Sequence, residues 1–125
     1  MTESKRRILV ADDEKPLAKA LEMKLTKAGF EVVTAFDGEE ALRKYEEGTY
    51  NMILLDLMMP KKDGFSVLEE LKNKGNTAPV YVLSNLSQSE DMQRAKSAGA
   101  AGFFVKSDTP IVEIVEEVKK ALGVE

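Results

Sequence analysis

Four consecutive apolar residues, Met52-Ile53-Leu54-Leu55, run without a polar interruption into a single carboxylate, Asp56. A strand with one wet face alternates apolar and polar residues. An unbroken run therefore belongs to a strand covered on both faces, as in a parallel sheet flanked by helices. In open sheets of that kind, ligands sit just beyond the carboxyl ends of the strands, which is where Asp56 emerges. The segment after it, with Pro60 and then Asp63-Gly64, turns the chain into a helix.

The same pattern recurs along the chain. Arg6 to Ala11 (RRILVA) is a second apolar strand, and it ends in Asp12-Asp13-Glu14. Leu17, Leu21, Leu25 and Ala28 follow at helical spacing, with Pro16 tolerated in the first turn and Gly29 placed to close the helix. Glu31 to Ala35 is a short β-branched strand. Asp37-Gly38-Glu39-Glu40 then has the order of a capped helix start, and Ala41, Leu42 and Tyr45 form the buried face. Beyond Asp56, Phe65, Leu68 and Leu71 line a third helix. Pro79 to Ser84 (PVYVLS) is a strand that ends in a hydroxyl. Ser87 to Ala98 is a weak, largely polar helix with Met92 and Ala95 as its few apolar contacts, and it is expected to be mobile. Gly102 to Lys106 (GFFVK) is a fifth strand that ends in a lysine. Phe103 and Phe104 alternate on it, one inward and one outward, and Thr109-Pro110 starts a helix carrying Ile111, Ile114, Val115, Val118 and Leu122 on one face. Glycines 29, 48, 75, 99 and 123 each follow a candidate helix.

Strand and helix thus alternate five times with short connections. That order predicts parallel strands joined by right-handed crossovers, an α/β (βα)5 sheet with helices on both faces. The 125 residues read as one domain, residues 1–125, with no linker, repeat or second domain.

The residue types present narrow the chemistry. The chain has no histidine and no cysteine, which excludes His-based acid–base work, Cys or Ser–His nucleophiles and His/Cys zinc sites. Carboxylates, hydroxyls and lysines remain, and the metal they suit is a hard, oxygen-loving cation. A net charge of −4 without a basic stripe argues against nucleic acid as a direct partner. No apolar stretch approaches a membrane span, and MTESKRR lacks a signal-peptide core, so the expectation is a cytoplasmic chain.

Gathering the strand ends puts Asp12, Asp13, Asp56, Ser84 and Lys106 on one edge of the sheet. Two carboxylates about 4 Å apart repel by about 4 kcal/mol at an effective dielectric near 20, so three together call for a compensating charge. Mg²⁺ answers that need with one or two carboxylates and further oxygen ligands. With a cation and Lys106 neutralising a phosphoryl group, and Ser84 donating to one of its oxygens, Asp56 is set as an in-line nucleophile that would yield an aspartyl phosphate. Taken singly, Lys106 reads as a surface lysine, Asp12-Asp13 as a helix cap with a solvated neighbour, and Ser84 carries no signal. Their joint order is what carries the reading.

That order, an acidic pair after the first strand, an aspartate in a D-x-M-M-P-x-x-D-G setting after the third, then Ser84 and Lys106, resembles the receiver domain of two-component response regulators over essentially the whole chain. The resemblance implies a flavodoxin-like doubly wound sheet of strand order 2-1-3-4-5. It implies Asp56 as phosphoacceptor and Asp13 and Asp56 as direct Mg²⁺ ligands, with Asp12 acting through water and the Met58 backbone carbonyl as a further ligand. Ser84 would move toward the phosphoryl group, and Phe103 would turn inward when it does. Signalling would leave through the fourth helix, fifth strand and fifth helix. The implied donor is a histidine kinase or histidine phosphotransfer protein, and the implied reader is a downstream protein. The chain would be a stand-alone receiver without an output domain, a switch rather than an enzyme, and a monomer, with phosphorylation-dependent dimerisation left open.

The sequence departs from the family in one place. Ser107 follows Lys106 where the family has a proline in a cis bond. A cis non-proline bond costs about 3 kcal/mol, so a trans bond is expected. Met58 and Leu86, two residues past Asp56 and Ser84, cannot orient a water by charge, so slow dephosphorylation is expected. A phosphoaspartate phosphatase is disfavoured because Met58 stands where a second acid is required, and a flavin-binding module is disfavoured because Asp12-Asp13-Glu14 would repel a phosphate. A receiver-like scaffold without a cognate kinase stays open at this point.

Overall fold

The computed structural model describes residues 6–85 and 89–123. Among them, strand and helix alternate as β1 (Arg7–Ala11), α1 (Lys15–Lys27), β2 (Glu31–Ala35), α2 (Gly38–Glu46), β3 (Met52–Asp56), α3 (Gly64–Asn73), β4 (Val80–Ser84), α4 (Ser89–Ser97), β5 (Gly102–Val105) and α5 (Ile111–Ala121). The strands form one parallel sheet in the order β2-β1-β3-β4-β5. β3 lies at its centre, and all five of its residues are buried, as its apolar run requires.

Successive strand residues point to opposite faces, so the sheet has two cores. Ile8, Val10, Met52 and Leu54 pack with Leu21 and Leu25 of α1 and with Ile114 and Val118 of α5. Leu9, Ala11, Ile53 and Leu55 pack with Ala41 of α2, Phe65 and Leu68 of α3, and Ala95 of α4. Because both faces are covered, the alternation on β5 has no solvent side. Phe103 packs on the α2–α3–α4 core and Phe104 on the α1–α5 core, so the expectation that one of them points outward is corrected.

Local chemistry explains most element ends. Asp37 caps α2 by accepting from the Glu40 N–H at 2.7 Å, and Glu40 Oε1 accepts in return from Phe36 N at 2.6 Å, one residue ahead of the usual partner. Gly29 and Gly75 close α1 and α3 with φ of +102° and +77°. Gly48 does not use this freedom. A Cβ there would lie 2.3 Å from Arg7 Nη1, so an added side chain would have to displace the end of the flexible Arg7 side chain. Pro110 is the N-cap of α5 rather than a first-turn residue. α4 has the sparse apolar face expected, with Ala95 buried and Met92 half-buried. Its first two expected residues, with Leu86, lie outside the described residues. No cis peptide bond occurs among the described residues, so Lys106–Ser107 is trans.

Candidate functional site

The carboxyl edge of the sheet is built from chain segments that leave their strands in register. Asp12 N donates to Ala35 O at 2.9 Å and extends the β1–β2 ladder by one residue, and Lys106 N does the same toward Ser84 O at 2.9 Å beside β4. Asp12 is 0% exposed and Asp56 2%. Each is fixed in the same way, by the backbone N–H two residues on. Asp12 Oδ1 accepts from Glu14 N at 2.8 Å, and Asp56 Oδ1 accepts from Met58 N at 3.1 Å. The second oxygen of each is thereby turned to one point. Lys106 Nζ occupies it, 2.8 Å from Asp12 Oδ2 and 3.0 Å from Asp56 Oδ2, with Glu14 Oε2 at 3.5 Å. Lys106 stands one residue past the edge strand β5, and a lysine is long enough to pass over β4 to β3 and β1.

The electrostatics follow from burial. Asp56 is pushed up to about 6, first by loss of water and then by the neighbouring Asp12 charge, against the Met58 N–H and Lys106. Burial also raises Asp12, although Lys106 and the Glu14 N–H oppose it. Burial works to lower Lys106, but the two carboxylates outweigh it and hold the ammonium above its ordinary value. One buried ammonium thus faces two buried carboxylates, and an exposed third acid, Asp13, stands beside them.

Carboxylate oxygens of Asp12, Asp13 and Asp56 all lie within 4.8 Å of one another. Asp12 Oδ2 is buried and accepts no well-directed hydrogen bond, its ion pair with Lys106 apart. An all-oxygen donor set with surplus negative charge fits a hard divalent cation. The two neighbouring acids differ more than their adjacency suggests, for Asp13 faces solvent. Asp13→Asn is therefore expected to change metal-free stability by less than about 1 kcal/mol, measured by urea unfolding, because an exposed charge is well screened. A larger gain would mean that Asp13, too, is held against the buried pair.

Ser84 is buried at the end of β4, one residue past the Leu83 that stands opposite Asp56. Asn85 Oδ1 accepts from Ser107 N at 3.1 Å, which ties the segments leaving β4 and β5. Met58 is 61% exposed at the rim. Phe103 is away from the carboxylates, half-buried, and lines a groove with Met92, Ala95 and Lys96. The edge thus brings together Asp12, Asp13, Asp56, Ser84 and Lys106, with Met58 at the rim and Phe103 outside. Sequence alone does not single out Glu14 or Asn85 as site residues. Glu14 belongs to the acidic run Asp12-Asp13-Glu14, whereas no local pattern marks Asn85.

Residues 8–119 match the family model described as "Response regulator receiver domain". The transcriptional regulatory protein PrrA of Mycobacterium tuberculosis is 42% identical over 116 residues, which cover 93% of this chain and 49% of that protein. The receiver domain of Francisella response regulator 1452 superposes with a TM-score of 0.88 at 32% identity, covering 94% of this chain and 97% of that one. The CheX-CheY-BeF3-Mg²⁺ complex of Borrelia burgdorferi gives a TM-score of 0.86 at 29% identity, over 96% of this chain and 90% of that one. The chain spans between 15% and 51% of the length of eight of the curated relatives it matches. No helix among the described residues is long and apolar enough to cross a membrane.

Proposed function

The chain belongs to the response regulator receiver family, and from that premise we propose that it is a phosphoacceptor switch that takes a phosphoryl group onto Asp56. The observation that carries the reading is the single Lys106 ammonium held between the buried carboxylates of Asp12 and Asp56. An ion trio of that kind costs stability, and as bare architecture an apolar packing would serve as well or better.

In the reaction, an Asp56 carboxylate oxygen attacks phosphorus in line with the leaving group. The new O–P bond forms as the P–N bond of a phosphohistidine donor breaks, and the imidazole departs with the bonding pair and a proton from solvent. The donor is a histidine kinase or a histidine phosphotransfer protein, for this chain has no histidine of its own. Lys106 Nζ, already 3.0 Å from Asp56 Oδ2, passes from the carboxylate to a phosphoryl oxygen. Ser84 donates its hydroxyl to another. Asp13, Asp56 and the Met58 carbonyl would hold Mg²⁺ directly, with Asp12 acting through water. When bound, Mg²⁺ neutralises charge that develops on the phosphoryl oxygens. The oxygen donor set described above supports this, as does the Borrelia CheY relative, which is seen with BeF3 and Mg²⁺.

Receiver domains are switches rather than turnover enzymes. Here the output is proposed to pass from Ser84 to Phe103 and on to the face formed by α4, β5 and α5, where a downstream protein binds. Phe103 sits beside the groove against α4, as such a relay requires. The exposed Met58 side chain offers no group that could orient a hydrolytic water, which supports a long-lived phosphoryl state.

The test is intact mass after incubation with acetyl phosphate, with and without Mg²⁺, on the parent and on Asp56→Ala. One phosphate is expected on the parent only, and only with Mg²⁺. An adduct that persists on Asp56→Ala, or that forms equally without metal, would sink the proposal.

A further inference from the structure

Residues 57–63 connect β3 to α3 and carry Met58, whose N–H fixes Asp56 Oδ1 at 3.1 Å. This connection is seated against two glycines. A Cβ on Gly64 would lie 2.3 Å from Asp56 O and 2.5 Å from Leu57 Cα, so α3 starts in direct backbone contact with the phosphoacceptor strand. The second glycine comes from a different element. A Cβ on Gly38, the buried first residue of α2, would lie 1.9 Å from Lys62 O and 2.7 Å from both Lys62 C and Lys62 Cβ. Neither glycine has a positive φ. Missing bulk, rather than backbone freedom, is what each supplies.

Around Gly38 the contact is specific. Lys62 N donates to Pro60 O at 2.7 Å, an i to i+2 bond that closes a three-residue turn, and Gly38 N approaches the same oxygen at 3.5 Å. Lys61, at the centre of the turn, has φ of +67°, a strained sense for a residue with a side chain. Lys61 Nζ lies 3.7 Å from Asp37 Oδ2, the carboxylate that caps α2. Strained turns persist where surroundings hold them. The surroundings here are the first turn of α2, which plays no part in the chemistry above.

We propose that Gly38 is a positioning residue for the phosphoacceptor loop: by letting the Pro60–Lys62 turn rest on the start of α2, it sets Met58 against Asp56 and so tunes Mg²⁺ binding. An alanine would need its nearest backbone atom to retreat by more than an ångström. That shift enters the loop four residues from Met58. Partners that orient metal-binding groups cost about 10–100-fold in metal affinity when lost, and Gly38→Ala is expected to weaken Mg²⁺ binding by about tenfold. This inference rests on the proposed Mg²⁺ site.

The experiment is calorimetric titration of Mg²⁺ into the parent, Gly38→Ala and Leu25→Ala. Leu25 is fully buried in the other core, so its truncation destabilises the fold without touching the loop. Equal affinity in the parent and Leu25→Ala, with about tenfold weaker binding in Gly38→Ala, is the expected result. Unchanged affinity in a folded Gly38→Ala would overturn the positioning role. A parent that binds no Mg²⁺ would overturn the phosphoacceptor reading and this inference together. If Gly38→Ala does not fold, hydrogen exchange on the parent decides, since Mg²⁺ should then slow exchange at the Gly38 and Met58 amides together. Slowing at Met58 alone would overturn the coupling.

Discussion

Metal-free protein carrying Lys106→Met is expected to be less stable than the parent by about 3–5 kcal/mol near neutral pH, because one partner of a buried ionic cluster has been removed and its counter-charges left behind. Lys106 is the only cation within 4 Å of Asp12 and Asp56 among the described residues, and its side chain is 8% exposed. With their oxygens within 4.8 Å, two unscreened carboxylates repel by about 3–4 kcal/mol at an effective dielectric near 20. The penalty has a ceiling, because a carboxylate can instead take up a proton. At about pH 7.5 that costs at most about 5 kcal/mol for a group with an ordinary value of 3.8, and the ceiling falls by about 1.4 kcal/mol for each unit of pH below that. The loss should therefore shrink toward about pH 5, and saturating Mg²⁺ should restore part of it at neutral pH. Urea unfolding of both proteins in chelator and in Mg²⁺, across that pH range, measures all three effects. A loss below about 1 kcal/mol that ignores both pH and metal would mean that Lys106 does not compensate buried charge.

Asp56→Asn should act in the opposite direction. The Asp56 carboxyl has a folded value of about 6 against an ordinary 3.8, with burial as the leading cause. The folded state therefore holds the proton more tightly than the unfolded state. The stability this contributes is fully present below about pH 4 and is lost as pH rises through about 6, a total of about 3 kcal/mol for a shift of about two units. Asparagine keeps the neutral form at every pH. Without metal, Asp56→Asn should match the parent near pH 4 and exceed it by about 2–3 kcal/mol above pH 7. Mg²⁺ should erase much of that advantage, since it stabilises the parent charge. Equal stability of the two proteins at both ends of the range would show that burial does not penalise the Asp56 charge.

These two changes are not additive, because both act on the ion trio. In the double variant Lys106→Met/Asp56→Asn, one buried carboxylate remains instead of two, so the loss should be well below that of Lys106→Met alone. The trio also explains how the site can be both built and costly. On the reading proposed above, a divalent cation would lower that cost by compensating the surplus negative charge.

Much of this protein was determined by sequence alone, because the signals were local. The run Met52 to Leu55 specifies a strand covered on both faces whatever its neighbours, and the alternation of five such segments with helices leaves few topologies. The end of each strand is a local property too, so Asp12, Asp56, Ser84 and Lys106 could be assigned to one edge before any contact was known. What tertiary structure decided depends on groups distant in the chain. Asp12 and Asp13 are adjacent and chemically identical, yet Asp12 is buried against Lys106 while Asp13 faces water, because successive residues leaving β1 point in opposite directions. Phe103 and Phe104 both pack inward for the complementary reason, since helices cover both faces of the sheet. The place of Gly38 was equally invisible. In sequence it is one residue of a helix cap, and only the fold brings Lys62, 24 positions later, against the space where its side chain would stand.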